Sequence, residues 1–258
     1  MAIPGHIEIG RSYNVTLPIF KPLCYTYRMM NAVRKVEAQK KVGGIPFFIS
    51  LLMLLLIDAT LSLHLPLCWT TRAEQPALAT GAGIVIGFGL AFLLLRGSFA
   101  TILHEWKHAV VSTLAGNKWK KMRVNHEEGA FEYEYSKATA IYNSFIVLAP
   151  YTFPAFLFPA ALVCIGLYHS SPLASFILLG VGLGADLAAH LRETKPWQLD
   201  LQEIRGGFLI SVLFVALMNM FFTLVVMTWA FGQGAAFLSL AAFSLTLGSY
   251  GLQNLMGR

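Results

Sequence analysis

Long apolar runs separated by short polar stretches set the order of this chain. Apolar residues dominate 45–69, 80 to about 103, 141–168, 173–191, 207–231 and 235 to about 252. A helix of about 20 apolar residues crosses a bilayer's hydrocarbon core, so the pattern predicts six transmembrane helices. The second run keeps its helical pattern through 116, and the third is interrupted by Pro150, Pro154 and Pro159. Between these two runs lies a polar insert, 117–140, where Phe131, Tyr133 and Tyr135 alternate with Glu132 and Glu134. That period of two predicts a half-covered strand over 130–135, entered by a turn at Gly129. The first 44 residues are polar to amphipathic and end in a crowd of Arg28, Arg34, Lys35, Lys40 and Lys41. The expected plan is an N-terminal segment, 1–44, and a membrane-embedded domain, 45–258. The fold class is an all-α polytopic membrane protein, with about six transmembrane helices and a small cytoplasmic β insert.

Composition agrees with the pattern. Of 258 residues, 56% are hydrophobic and 12% charged, with a mean hydropathy of +0.62. Soluble domains carry about 25% charged residues, so a soluble globular enzyme and a disordered chain are both excluded. The net charge of +6 has a membrane explanation, because Lys and Arg collect in cytoplasmic loops, and no nucleic acid partner is expected. Seven Lys/Arg fall in 1–44, five in 117–140, three in 192–206, and Arg258 ends the chain. The loops of the opposite side hold Arg72. This asymmetry puts both termini and the insert in the cytoplasm and the protein in the cell membrane. Cys24, Cys68 and Cys164 are scattered without CxxC spacing, which indicates neither a disulfide framework nor a thiolate metal site. No apolar run follows a basic start, so no cleavable signal peptide is expected, and the first span serves as the targeting signal.

Acidic residues are costly inside membrane helices, and three fall within apolar helical stretches: Asp58, Glu105 and Asp186. Glu105 belongs to His104-Glu105-Trp106-Lys107-His108, an HExxH sequence on a helix. Residues at i and i+4 share a helix face, so both imidazoles can reach one zinc ion. Glu105 then lies where it can deprotonate a water. The bland alternative is a polar helix end facing headgroups. A zinc hydrolase needs a third protein ligand, and the candidates are His126, Asp186, His190, Glu193 and Asp200. Depth favours Asp186, about 9 Å of helix before the boundary residue Arg192, with Gly180, Gly182 and Gly184 inviting close helix approach. His190, one turn further on, stays open as a partner of that shell or as the ligand itself. Asp200 and Glu203 read as the polar face of a short surface helix. His126, Glu127 and Glu128 read as a solvated turn, Asp58 as a hydrogen-bonded interior residue, and Arg96 as a snorkelling or paired side chain.

Three segments carry a resemblance that spans 98–195: ATILHEWKHAVVSTLAG, GAFEYEYSKATAIYNSFIVLAPYTFP and LLGVGLGADLAAHLRET. The chain resembles intramembrane zinc metalloproteases of the site-2 type and, more closely, the bacterial putative zincin peptidases. In such families HExxH lies on one membrane helix, a short β segment follows, and a later helix supplies an aspartate. The resemblance implies His104, His108 and Asp186 as metal ligands, Glu105 as general base and one catalytic Zn²⁺. The chain departs from the family pattern in Trp106 and Lys107, where small residues are usual. It departs again in Leu187, since the family has Asn and Pro shortly before an Asp-Gly pair. Asn143 reads as a helix-start residue rather than the family's asparagine.

The function expected on these grounds is zinc-dependent peptide hydrolysis at the cytoplasmic edge of the membrane, on a membrane protein or peptide substrate. The strand over 130–135 would pair with an extended substrate or rest on the lipid surface. Two other classes compete: a non-proteolytic membrane subunit or transporter with a packed polar cluster, and a zinc hydrolase of a non-peptide substrate.

Overall fold

Apolar runs of this length have one economical way to satisfy their peptide groups away from water, the α-helix, and helices account for most of the structure. The computed structural model describes residues 5–9, 41–68, 74–124 and 129–232. In chain order these form β1 (Gly5–Ile9), α1 (Ile45–Cys68), α2 (Glu74–Leu94), α3 (Gly97–Leu114), β2 (Lys118–Val124) and β3 (Gly129–Tyr135). A 3₁₀ turn (Thr139–Tyr142), α4 (Asn143–Thr152), α5 (Leu157–Leu167), α6 (Pro172–Glu193), α7 (Leu199–Glu203) and α8 (Gly207–Gly232) complete the order.

Four of these helices are long and apolar enough to cross a membrane: Ile45–Leu67, Glu74–Leu94, Pro172–Glu193 and Gly207–Phe231. Among the described residues a fifth span exists if the bent pair Thr139–Thr152 and Leu157–Leu167 counts as one. That pair turns by 70° at its break, where Pro154 interrupts the third apolar run. The expected sixth span, over 235–252, lies outside the described residues. The second apolar run is also divided. Its helix ends at Leu94, and α3 begins at Gly97 with φ +57°, a conformation glycine adopts without a Cβ penalty. HExxH therefore stands on a helix of its own rather than on the continued end of a span.

The described residues group into two units, each taken by itself. The first comprises the described residues within Met1–Leu51, Phe92–Phe153 and Ala189–Ala216, and the second those within Leu52–Ala91, Pro154–Ala188 and Leu217–Arg258.

In the first unit a Schellman turn stops α3. The Gly116 N–H donates to Thr113 O and the Asn117 N–H to Ser112 O, with Gly116 at φ +78°, which satisfies carbonyls the helix end would otherwise leave open. The chain leaves directly into β2. The sheet has the order β1-β3-β2, antiparallel throughout. The strand expected over 130–135 is present as β3, its burial alternating as the sequence does, with Phe131 and Tyr133 fully buried. It is the central strand: β1 covers one edge from Gly5↔Tyr135 to Ile9↔Phe131, and β2 the other. An extended substrate therefore finds no free edge on β3. Ahead of α1, Val42 bridges Ile204, its N–H donating to Glu203 O and its carbonyl accepting from the Arg205 N–H. The Ser211 hydroxyl donates to Leu201 O. These bonds hold α7 between two neighbours, and in the same unit Phe47, Phe145 and Phe214 form an aromatic cluster.

In the second unit α2 and α6 meet through glycine. A Cβ at Gly83 or Gly87 would overlap the main chain of Ile177 or Val181, and one at Gly180 or Gly184 that of Thr80 or Ile84. Each helix thus presents a Gly-x-x-x-Gly pair to the other, the spacing that lets backbones touch without side chains between them. A Cβ at Gly182 would overlap α5 at Leu157 and Ala160. The close approach expected around Gly180, Gly182 and Gly184 is therefore real.

Candidate metal centre

Helical periodicity stacks His104 and His108 on one face of α3, their rings 5.1 Å apart, and both are buried. Each imidazole is held from behind through Nδ1. The His108 Nδ1–H donates to Ile146 O at 2.7 Å; a carbonyl accepts and never donates, so the Nε2 of the neutral ring carries a lone pair. His104 Nδ1 lies 3.3 Å from Glu193 Oε2. The two Nε2 atoms turn toward one oxygen, Asp200 Oδ2, at 3.2 Å from His104 and 3.5 Å from His108. Among the described residues, His104, His108 and Asp200 are the group whose ligand atoms all lie within 4.8 Å of one another, and all three are buried. They can hold a metal ion.

The donor set fits such an ion. Ligands about 2.0–2.2 Å from a tetrahedral metal stand about 3.3 Å from each other, close to the 3.2 and 3.5 Å found here. Among the described residues His108 Nε2 and Asp200 Oδ1 have no hydrogen-bond partner, a costly state for buried polar atoms. Imidazoles anchored through the far nitrogen to a carboxylate and a main-chain carbonyl are the usual outer support of metal-bound histidine. The Tyr151 hydroxyl donates to Asp200 Oδ2 at 3.3 Å, and its ring meets His104 edge-on.

Electrostatics follow from this crowding. Burial alone would lower the His104 imidazolium, but its hydrogen bonds to Asp200 and Glu193 outweigh that and hold it near 10. Burial works against the Asp200 carboxylate as well, yet its hydrogen bond with His104 and the closeness of both imidazoles hold it well below the usual carboxylate range. The trio draws positive charge to itself. Glu105, fully buried beside it, is pushed up to about 7 by burial, with the two histidines pulling the other way. Neither of its oxygens has a hydrogen-bond partner among the described residues. The start of β3 lies against it: a Cβ at Gly129 would overlap the Glu105 side chain. Glu203, on the last turn of α7, is lifted to about 8 by burial and then by the charge of Asp200.

The carboxylate grouped with the two imidazoles is that of Asp200, where Asp186 was expected. The depth argument placed the ligand inside an apolar span, whereas the carboxylate of the group that can hold a metal comes from a five-residue helix after α6. Asp186 is otherwise engaged: it accepts the N–H groups of Phe156 and Leu157 at 3.1 and 2.7 Å, satisfying open donors at the start of α5. His190 Nε2 lies 3.3 Å from Phe153 O, outside the group. Glu193 supports His104 rather than joining the ligand atoms. Asp200 and Glu203, expected on a solvated face, are buried, and Asp58 is buried without the expected hydrogen-bond partner among the described residues. Asn143 opens α4 as expected and accepts from the Tyr133 hydroxyl at 3.1 Å. Arg96 is exposed. His126, Glu127 and Glu128 lie outside the described residues. No family model, curated protein or solved structure matches this chain.

Proposed function

We propose that this protein is a membrane-embedded zinc metallopeptidase, with His104, His108 and Asp200 as metal ligands and Glu105 as general base. The observation that supports it most is the convergence of two Nε2 atoms on Asp200 Oδ2, each ring secured through Nδ1, beside a buried glutamate with no hydrogen-bond partner among the described residues. Two imidazoles and a carboxylate suit Zn²⁺ among common ions. Bound there, Zn²⁺ would supply a Lewis acid for a scissile carbonyl and acidify a water.

The chain's own groups do the rest. Glu105, held near neutrality, takes the proton of the attacking water and passes it to the leaving amine. Glu193 and Ile146 keep the two rings oriented, while Tyr151 steadies Asp200. A peptide must be extended for its amides to be reached, and sheet edges bind extended chains. Among the described residues β2 is an edge strand, with Lys118, Trp119, Lys120 and Lys121 exposed along it. The reading agrees with the site-2 type that the sequence resembles, with Asp200 taking the place of the distant aspartate, and it keeps the centre near the cytoplasmic face. The test pairs metal content with cleavage of membrane peptides. Glu105→Gln should keep stoichiometric zinc and lose about 10²–10⁴-fold in rate; unchanged cleavage refutes the assignment, and zinc-dependent turnover of lipid alone points to the non-peptide hydrolase.

A further inference from the structure

In an α-helix the carbonyl of residue i accepts the N–H of residue i+4. Ile146 lies in α4, and the residue that would serve its carbonyl is Pro150, which has no N–H. The His108 Nδ1–H takes the vacated acceptor at 2.7 Å. One turn on, the carbonyl of Pro150 would be served by residue 154, again a proline, and the Lys107 ammonium takes it at 2.8 Å. Between these two, Ala149 O keeps its ordinary donor, the Phe153 N–H, at 2.8 Å. Two prolines four residues apart thus open two carbonyls on one face of α4. Two consecutive residues of the HExxH helix fill them, and both Lys107 and His108 are fully buried.

A kink is the ordinary reason for prolines here, and Pro154 at the 70° bend answers to it. Pro150 stands inside α4, where it costs helix stability, and a kink does not explain why the carbonyl it frees meets a ring that faces Asp200. We infer that Pro150 is a positioning residue of the metal centre: by withholding an N–H it reserves the Ile146 carbonyl for His108 Nδ1 and so fixes that ring with its Nε2 lone pair toward Asp200. This rests on the reading of His104, His108 and Asp200 as a zinc site.

The test is zinc binding by the purified full-length chain, titrated with zinc ion against a chelator at temperatures well below melting. Pro150→Ala restores an N–H that competes for Ile146 O, and alanine is the better helix former. The expected result is zinc affinity about 10–100-fold weaker, with the zinc-free melting temperature unchanged or higher. Pro150→Gly restores the same N–H and should show the same loss if the alanine variant does not fold. Affinity equal to that of the unsubstituted chain overturns the inference, as does a parallel fall in affinity and melting temperature, which marks a merely structural proline. An unsubstituted chain that binds no zinc removes the reading underneath, a result distinct from either.

Discussion

Two aspartates decide the chemistry at the scale of single residues, and they part cleanly under substitution. Asp200→Asn removes the charged oxygen toward which both imidazoles turn, so zinc affinity should fall by more than the ~10–100-fold typical of an outer partner. Asp186→Asn leaves that trio intact but weakens the acceptor of two N–H groups at the start of α5; the expected loss is about 1–3 kcal/mol of stability with zinc content unchanged. Metal analysis beside thermal melts separates the two, and the reverse outcome would restore Asp186 as the ligand. The histidines were legible because i, i+4 spacing is a property of the helix itself. Asp200 was not, since the groups it meets lie far away in sequence, the Tyr151 hydroxyl and the two histidines. One sequence signal favoured it: Pro196 stands four residues before Asp200, the Pro-before-Asp order of the resembled family, while nothing similar precedes Asp186.

At the scale of elements, alternation, apolar length and the proline break of the third run were legible, and the break in the second run was not. β3 could be read from Phe131, Tyr133 and Tyr135, but β1 offers five residues, Gly5–Ile9, too few to stand out in a polar segment. The break before Gly97 was hidden because apolar residues continue on both sides of it. The contact of α2 with α6 was partly visible in the glycines. It depends on backbone meeting backbone, so Gly87→Val or Gly184→Val should force the helices apart and cost about 1–3 kcal/mol, the usual penalty of overpacking. Gly89→Val, where a Cβ meets nothing within 4 Å, is the control that should leave stability near that of the parent. Equal losses at all three positions would mean that β-branching, rather than the close approach, sets the cost. In the first unit Gly129→Ala places a methyl group on the Glu105 carboxylate; cleavage should drop while zinc content holds, because the ligand atoms lie elsewhere.

For the whole molecule the argument is one of charge. Glu105 and Asp200 are buried and Glu193 nearly so, and Lys107 is buried among them. Lys107 and the proton that His104 holds answer Asp200 and Glu193, and Glu105, pushed up to about 7, is the carboxyl left over; uncompensated buried charge is expensive. A divalent cation held by His104, His108 and Asp200 would take the place of the His104 proton and answer Glu105 as well, which makes metal binding part of folding stability. A ligand that binds the native state at a hundredfold excess over its Kd stabilises it by about 2.7 kcal/mol, worth about 5–10 °C in melting temperature for a chain of this size. Zinc should therefore raise the melting temperature of the purified protein by that order, and a chelator should reverse the gain. Asp200→Asn should lose the response and Asp186→Asn should keep it. The contrast carries weight because both variants delete one carboxylate charge from the same chain, so a general electrostatic effect would move them alike. A zinc response of the same size in both would place the ion somewhere other than this trio.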